Sequence, residues 1–188
     1  LDIAPSYPSI AAALATGEGL MGTVEFFPEE GKYHFDGHRN CGQCLAPGEA
    51  EAKDGKCPVC GKRLTTGVLH RVEQLADRPE EAVRPRNGRP FQSLAPLPEV
   101  IAASLGTSPG GKGTERLYEE MLRSLGPEFQ ILREAPLEDV ARVAGPCVAE
   151  GLRRLRRGQV VRSPGYDGQY GTITLLDPSE REALEGQV

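Results

Sequence analysis

Two closely spaced cysteine pairs constrain this chain more than any other feature: Cys41-Gly-Gln-Cys44 and, twelve residues later, Cys57-Pro-Val-Cys60. Two residues between cysteines let both sulfurs turn inward in one tight bend, and two such bends facing each other complete a tetrahedron around zinc. Pro58 pre-shapes the second bend, Gly61 lets backbone amides turn toward sulfur, and Lys62 and Arg63 offset the charge of a tetrathiolate. Disulfides need an oxidising compartment, and two redox pairs this close together are an uncommon arrangement. The expectation is a structural zinc ribbon over residues 41–64, held by Cys41, Cys44, Cys57 and Cys60. Four thiolates leave no open position for a catalytic water. His34 and His38, just upstream, are alternative ligands, and Cys147 reads as a small buried hydrophobe.

Composition shows why zinc matters to the fold. Glycine (23) and proline (16) make up about a fifth of the 188 residues, aromatics only 5%, and there is no tryptophan. So little bulky apolar material gives a divided core that needs help from something other than burial. The net charge of −5 argues against a uniformly basic coat but leaves room for local basic strips. No apolar run approaches the roughly 18 residues of a membrane span, so no membrane partner and a cytoplasmic location are expected. Leu1 is not an initiating residue, and a fragment or a processed product is expected.

The fold class expected is a small α+β chain: the zinc ribbon, then a mainly helical domain ending in a short β-hairpin. Residues 7–16 read as a helix, 23–27 as a strand stopped by Pro28, and 28–40 as a polar loop. Thr66 can cap a helix through Leu75, with Val68, Leu69, Val72 and Leu75 on one face. Residues 77–92 form a proline-broken basic linker containing Arg84, Arg86 and Arg89. Beyond it, a helix from Pro98 stops at Gly106, and Thr114 caps another that stops at Gly126-Pro127. Pro136 opens a third helix, broken at Ala144-Gly145-Pro146, and a fourth runs from Cys147 to Arg157. Two strands, 159–162 and 171–176, flank a turn-rich segment. The domains expected are residues 1–40 as a junction to an N-terminal catalytic domain, 41–64 as the ribbon, 65–92 as helix and linker, and 93–188 as the helical part.

Three motifs bear on chemistry. Gly106-Thr-Ser-Pro-Gly-Gly-Lys112 matches the start of a phosphate-binding loop, but Gly113 stands where magnesium needs a hydroxyl, and a helix precedes it rather than a strand. ATP is therefore not expected as a partner. Residues 136–157 have the outline of a helix-hairpin-helix, which grips DNA phosphates through turn amides, and equally of an ordinary helical corner. Arg153, Arg154, Arg156, Arg157 and Arg162 face only Glu150, an excess of four positive charges over residues 145–164. This strip reads as a phosphate contact or as a solvated face. The loop at 25–39, with Glu25, Glu29, Glu30, Lys32, His34, Asp36, His38 and Arg39, is dense enough in titratable groups to bind metal or move protons, or to be a hydrogen-bonded loop.

The stretch Gly22-Thr-Val-Glu-Phe-Phe-Pro-Glu-Glu-Gly-Lys-Tyr-His-Phe-Asp-Gly-His-Arg-Asn-Cys41, with Cys57-Pro-Val-Cys60-Gly, Gly67-Val-Leu-His-Arg-Val-Glu-Gln-Leu-Ala-Asp77, Leu94-Ala-Pro-Leu-Pro-Glu-Val-Ile101 and Pro164-Gly-Tyr-Asp-Gly-Gln-Tyr-Gly171, resembles the C-terminal part of the endonuclease Q family. That resemblance implies a DNA-repair nuclease cutting beside deaminated bases or abasic sites. It implies an N-terminal PHP domain that holds the catalytic metals, followed by a zinc-binding segment and a helical part that grip DNA. No PHP ligand motif occurs in these residues, so no catalytic residue carries over and the chain alone is expected to be inactive. DNA contacts are expected from Lys32, His34, His38, Arg39, Arg84, Arg86, Arg89, Arg153, Arg154, Arg156, Arg157 and Arg162. The alternative is a zinc-stabilised protein-interaction scaffold with no nucleic-acid role.

Overall fold

The computed structural model describes residues 1–79, 82 and 90–186, which form two compact units. The expected basic-linker residues Arg84, Arg86 and Arg89 lie outside the described residues. The smaller unit comprises Leu1–Phe26 with Ala76–Leu94. Its helix α1 (Tyr7–Thr16) starts at Ser6, whose hydroxyl accepts from the Ser9 amide, and ends at Gly17 in the left-handed conformation. Strands β1 (Thr23–Glu25) and β4 (Phe91–Ser93) pair in parallel, a pairing between segments too distant in sequence for pattern to reveal.

The larger unit, Phe27–Leu75 with Ala95 onward, holds the ribbon and the helical core. Strands β2 (Asp36–His38) and β3 (Gln43–Leu45) are antiparallel and lead into the short helix α2 (Pro47–Glu51). Helix α3 (Val68–Leu75) starts two residues after Thr66, and its expected apolar face stays open: Val68, Val72 and Leu75 are each more than half exposed.

The core lies among α4 (Leu97–Leu105), α5 (Lys112–Leu125), α6 (Glu128–Arg133) and α7 (Leu137–Arg156). Leu97, Ile101, Met121, Ile131, Val140, Val148 and Leu152 are fully buried there. Helix α5 begins before Thr114, which is not its cap. The Thr114 hydroxyl instead donates to the Ser108 carbonyl and ties down the 106–111 connection. Helix α7 breaks at Gly145, whose φ of 84° and ψ of 168° end the first half, and Pro146 opens the second. Strands β5 (Val161–Ser163) and β6 (Thr172–Thr174) form the expected hairpin.

The described chain does not end at that hairpin. Helix α8 (Pro178–Glu185) follows, its first turn closed by a reciprocal capping box in which Asp177 accepts from the Glu180 amide and Glu180 from the Asp177 amide. Among the described residues, no helix is long and apolar enough to cross a membrane.

Candidate metal centre and the joined loops beside it

The cysteines converge, with one exchange. His38, Cys41, Cys57 and Cys60 place their ligand atoms within 4.8 Å of one another, and His38 Nδ1 stands 3.8 Å from Cys60 Sγ. Tetrahedral zinc with Zn–S bonds of about 2.3 Å holds its ligand atoms about 3.8 Å apart, and three cysteines with one histidine are a structural-zinc donor set. Cys44, expected as the fourth ligand, lies outside this group; its Sγ faces the Pro164 carbonyl at 3.8 Å. Burial, then the nearby Glu49, pushes the Cys44 thiol up, which favours the protonated form that donates.

The exchange has a local cause. Arg39–Cys41 form one 3-10 turn, closed by Gly42 at φ 60°, whose amide returns to the Arg39 carbonyl at 3.0 Å. The second knuckle shares the left-handed glycine but closes one residue further back: Gly61, at φ 72°, returns its amide to the Cys57 carbonyl at 2.8 Å. Each knuckle is thus ligand, two residues, cysteine, left-handed glycine: His38-Arg-Asn-Cys41-Gly42 and Cys57-Pro-Val-Cys60-Gly61. Cys44 is followed by Leu45, whose side chain disfavours positive φ. The glycine after the second ligand was the signal available in the sequence.

The thiols of this group lie close enough to perturb one another. Burial and then hydrogen bonds with Cys60 and Cys57 push the Cys41 thiol up to about 11. Burial also pushes the Cys57 thiol up, but amides of Cys60 and Val59 outweigh it and hold the group below its ordinary value. A divalent ion relieves this conflict, because thiolates bind it and release their protons. The ribbon's own apolar cluster is small: Ala50, Cys57 and Leu64, with Cys41 and Leu45 packed against them.

Beside the candidate metal centre, two segments more than a hundred residues apart fold as one. The 28–39 loop and the 163–171 turn exchange backbone hydrogen bonds: Gly165 N–H to Glu29 O at 2.8 Å, Phe35 N–H to Gly165 O at 3.0 Å, Gly168 N–H to Lys32 O at 3.0 Å, and Gly171 N–H to Glu30 O at 3.1 Å. Gly165 is pressed so closely that a Cβ would collide with the carbonyls of Gly31 and Gln169. Asp167 fastens the junction, accepting from the Arg39 amide and the Thr65 hydroxyl, each at 2.6 Å; these two bonds, Thr65 first, hold its carboxyl below the usual range. Buried Asp36 binds α3 from beneath, taking His70 Nδ1–H at 2.6 Å and the Gly67 amide. Neither Asp167 nor His70 carries a local sequence signal, because their partners, Thr65, Arg39 and Asp36, meet them only in the fold.

Acidic groups gather on another side of the loop. Burial, followed by the charge of Glu99 and a hydrogen bond with it, pushes Glu30 up to about 7. Glu29 pairs with Arg162 at 2.7 Å. Burial lowers His34, against a smaller opposing effect of Glu29.

The arginine strip mostly faces the protein itself. Arg153 and Arg154 both bind Glu150, at 2.5 and 2.8 Å, and hydrogen bonds from Arg153 draw Glu150 down to about 2. Arg154 also forks onto Glu180 and donates to the Leu175 carbonyl. Arg156 donates to the carbonyls of Ile131, Leu132 and Ala135. Arg162 is held by Glu29, whereas Arg157, Lys32 and Arg39 are exposed. Five cations close together in sequence are therefore not one open strip, because helix geometry turns three of them toward carboxylates and helix ends.

Known proteins share this architecture. Residues 96–159 match the family model described as the MJ0043 C-terminal domain. Uncharacterized protein MJ0043 of Methanocaldococcus jannaschii is 33% identical over 148 residues, 79% of this chain and 18% of that one. Uncharacterized protein YqxK of Bacillus subtilis is also 33% identical over 148 residues, covering 78% of this chain and 33% of that protein. The lesion-specific endonuclease PfuEndoQ from Pyrococcus furiosus superposes with a TM-score of 0.79 at 30% identity, over 94% of this chain and 44% of its own. Endonuclease Q in complex with a 27-mer duplex substrate carrying an abasic lesion at the active site gives 0.80 at 29% identity, over 98% and 45%. The chain spans under half the length of each of these relatives and solved chains. It has the fold of a part of endonuclease Q, as its motifs suggested.

Proposed function

We propose, from the fold shared with part of endonuclease Q, that this chain is a zinc-held, DNA-contacting region of a longer cytoplasmic nuclease that repairs deaminated or abasic DNA. The catalytic metals belong in this reading to a PHP-type domain elsewhere in the longer protein, and the chain alone cuts nothing. The supporting observation is the junction of the 28–39 loop with the 163–171 turn, which brings two of the motifs of the family resemblance into one surface beside the candidate metal ligands. Zinc, held by His38, Cys41, Cys57 and Cys60, supplies a rigid anchor for that surface and no reaction step. Lys32 and Arg39 are the exposed cations on it, positioned for phosphate.

A titration of duplex DNA against salt tests this. Binding should weaken steeply with salt, and Lys32→Ala and Arg39→Ala should each flatten the slope of log K against log salt by about one unit. Arg153→Ala should leave the slope unchanged, because that guanidinium is engaged by Glu150. The open stripe of Val68, Val72 and Leu75 on α3 favours a second reading, a protein-interaction scaffold. Absence of any salt-dependent DNA binding would select it.

A further inference from the structure

We propose that the outer face of the joined loops holds an unpaired DNA base, stacked against Tyr170 and Tyr33, with Lys32 and Arg39 on its flanking phosphates. The inference rests on the DNA-contacting reading above and adds to it what part of the DNA is held.

The two segments place four side chains around the tip of the turn. An atom at the Cβ position of Gly168 would lie 3.6 Å from both Arg39 Nη1 and Tyr33 Oη. Lys32 Nζ sits over one face of the Tyr170 ring, 4.6 Å from its centroid, which leaves the opposite face for a base. Tyr170 is 71% exposed and Tyr33 50%, so two large rings stand in water although the chain has only five tyrosines. Beneath them the backbone is fixed, by Gly168 N–H to Lys32 O and by Tyr166 and Gln169 exchanging amide and carbonyl. Asp167, the acid at the tip, is engaged by the Arg39 amide and the Thr65 hydroxyl.

Exposed aromatic rings between cations form a surface for bases and backbone together. Bases inside an intact duplex already stack on each other and offer only their edges, so a flat ring engages a base only when it leaves the stack. An abasic residue leaves the opposite base without a partner, and that base is the occupant this surface fits. Because the backbone beneath the rings is fixed before binding, the turn itself pays little ordering cost on contact.

The test uses a duplex with 2-aminopurine opposite a single abasic residue, beside the same duplex with 2-aminopurine paired. On binding, the fluorescence of the unpaired probe should fall and that of the paired probe should not. Tyr170→Ala and Tyr33→Ala should each weaken binding to the lesion duplex at least about fivefold, with binding to the intact duplex changed less than about twofold. Tyr170→Phe, which keeps the ring, should restore wild-type behaviour. Equal losses on both duplexes, or none, would overturn the stacking assignment and leave DNA contact standing. Failure of the unaltered chain to bind either duplex would instead remove the DNA-contacting reading, and this inference with it.

Discussion

Removing the metal should unfold the ribbon. Strong chelation, or Cys57→Ser, should abolish cooperative structure over residues 36–64 and release the 163–171 turn, because the buried apolar cluster beneath the ribbon is only Ala50, Cys57 and Leu64. Binding of structural zinc by small ribbons is worth about 10–16 kcal/mol at neutral pH, far more than three small side chains supply. The unaltered chain should carry one zinc per molecule by elemental analysis. Cys44→Ser should keep that zinc and His38→Ala should lose it. The reverse pattern would restore the four-cysteine set that the pair spacing suggested. No zinc in either, with the chain still folded, would remove the metal from the account.

Arg156→Ala should be the most damaging arginine substitution. Its guanidinium donates to three carbonyls, those of Ile131 and Leu132 in the last turn of α6 and that of Ala135 just beyond. These groups have no amide partner within the helix, and the positive charge also opposes the negative end of the helix dipole. Burial lowers the pKa of this arginine, the mark of a cation used inside the fold. The expected loss is about 3 kcal/mol, seen as a fall in Tm of roughly 6–12 °C for a chain of this size. Arg157→Ala, on the exposed neighbour, should change stability by less than about 0.5 kcal/mol. Equal effects of the two would refute this division of labour.

The arginine strip also marks where the sequence stopped being informative. Charge counted along residues 145–164 could not say which guanidinium faces which carbonyl, since the partners Glu180 and Leu132 lie on other helices. The knuckles were more legible: the cysteine pairs located three of the four residues whose ligand atoms converge, and the glycine following Cys41 carried the register that brings in His38 rather than Cys44. Helix ends at Gly17, Gly106 and Gly126 followed from local chemistry. Helix α8 had an equally plain signal, Asp177-Pro-Ser-Glu180, the sequence form of a capping box. The junction of 28–39 with 163–171 had no local signal, because its hydrogen bonds join distant backbone. The dense titratable loop is both a hydrogen-bonded loop and one wall of the proposed DNA surface.

Contact between that junction and DNA is measured directly by amide hydrogen exchange. With a duplex carrying one abasic residue added to the zinc-loaded chain, exchange should slow in residues 29–39 and 163–171 and stay unchanged along the Arg153–Arg156 turn of α7. Protection confined to α7, or bound DNA that protects neither loop, would contradict the account.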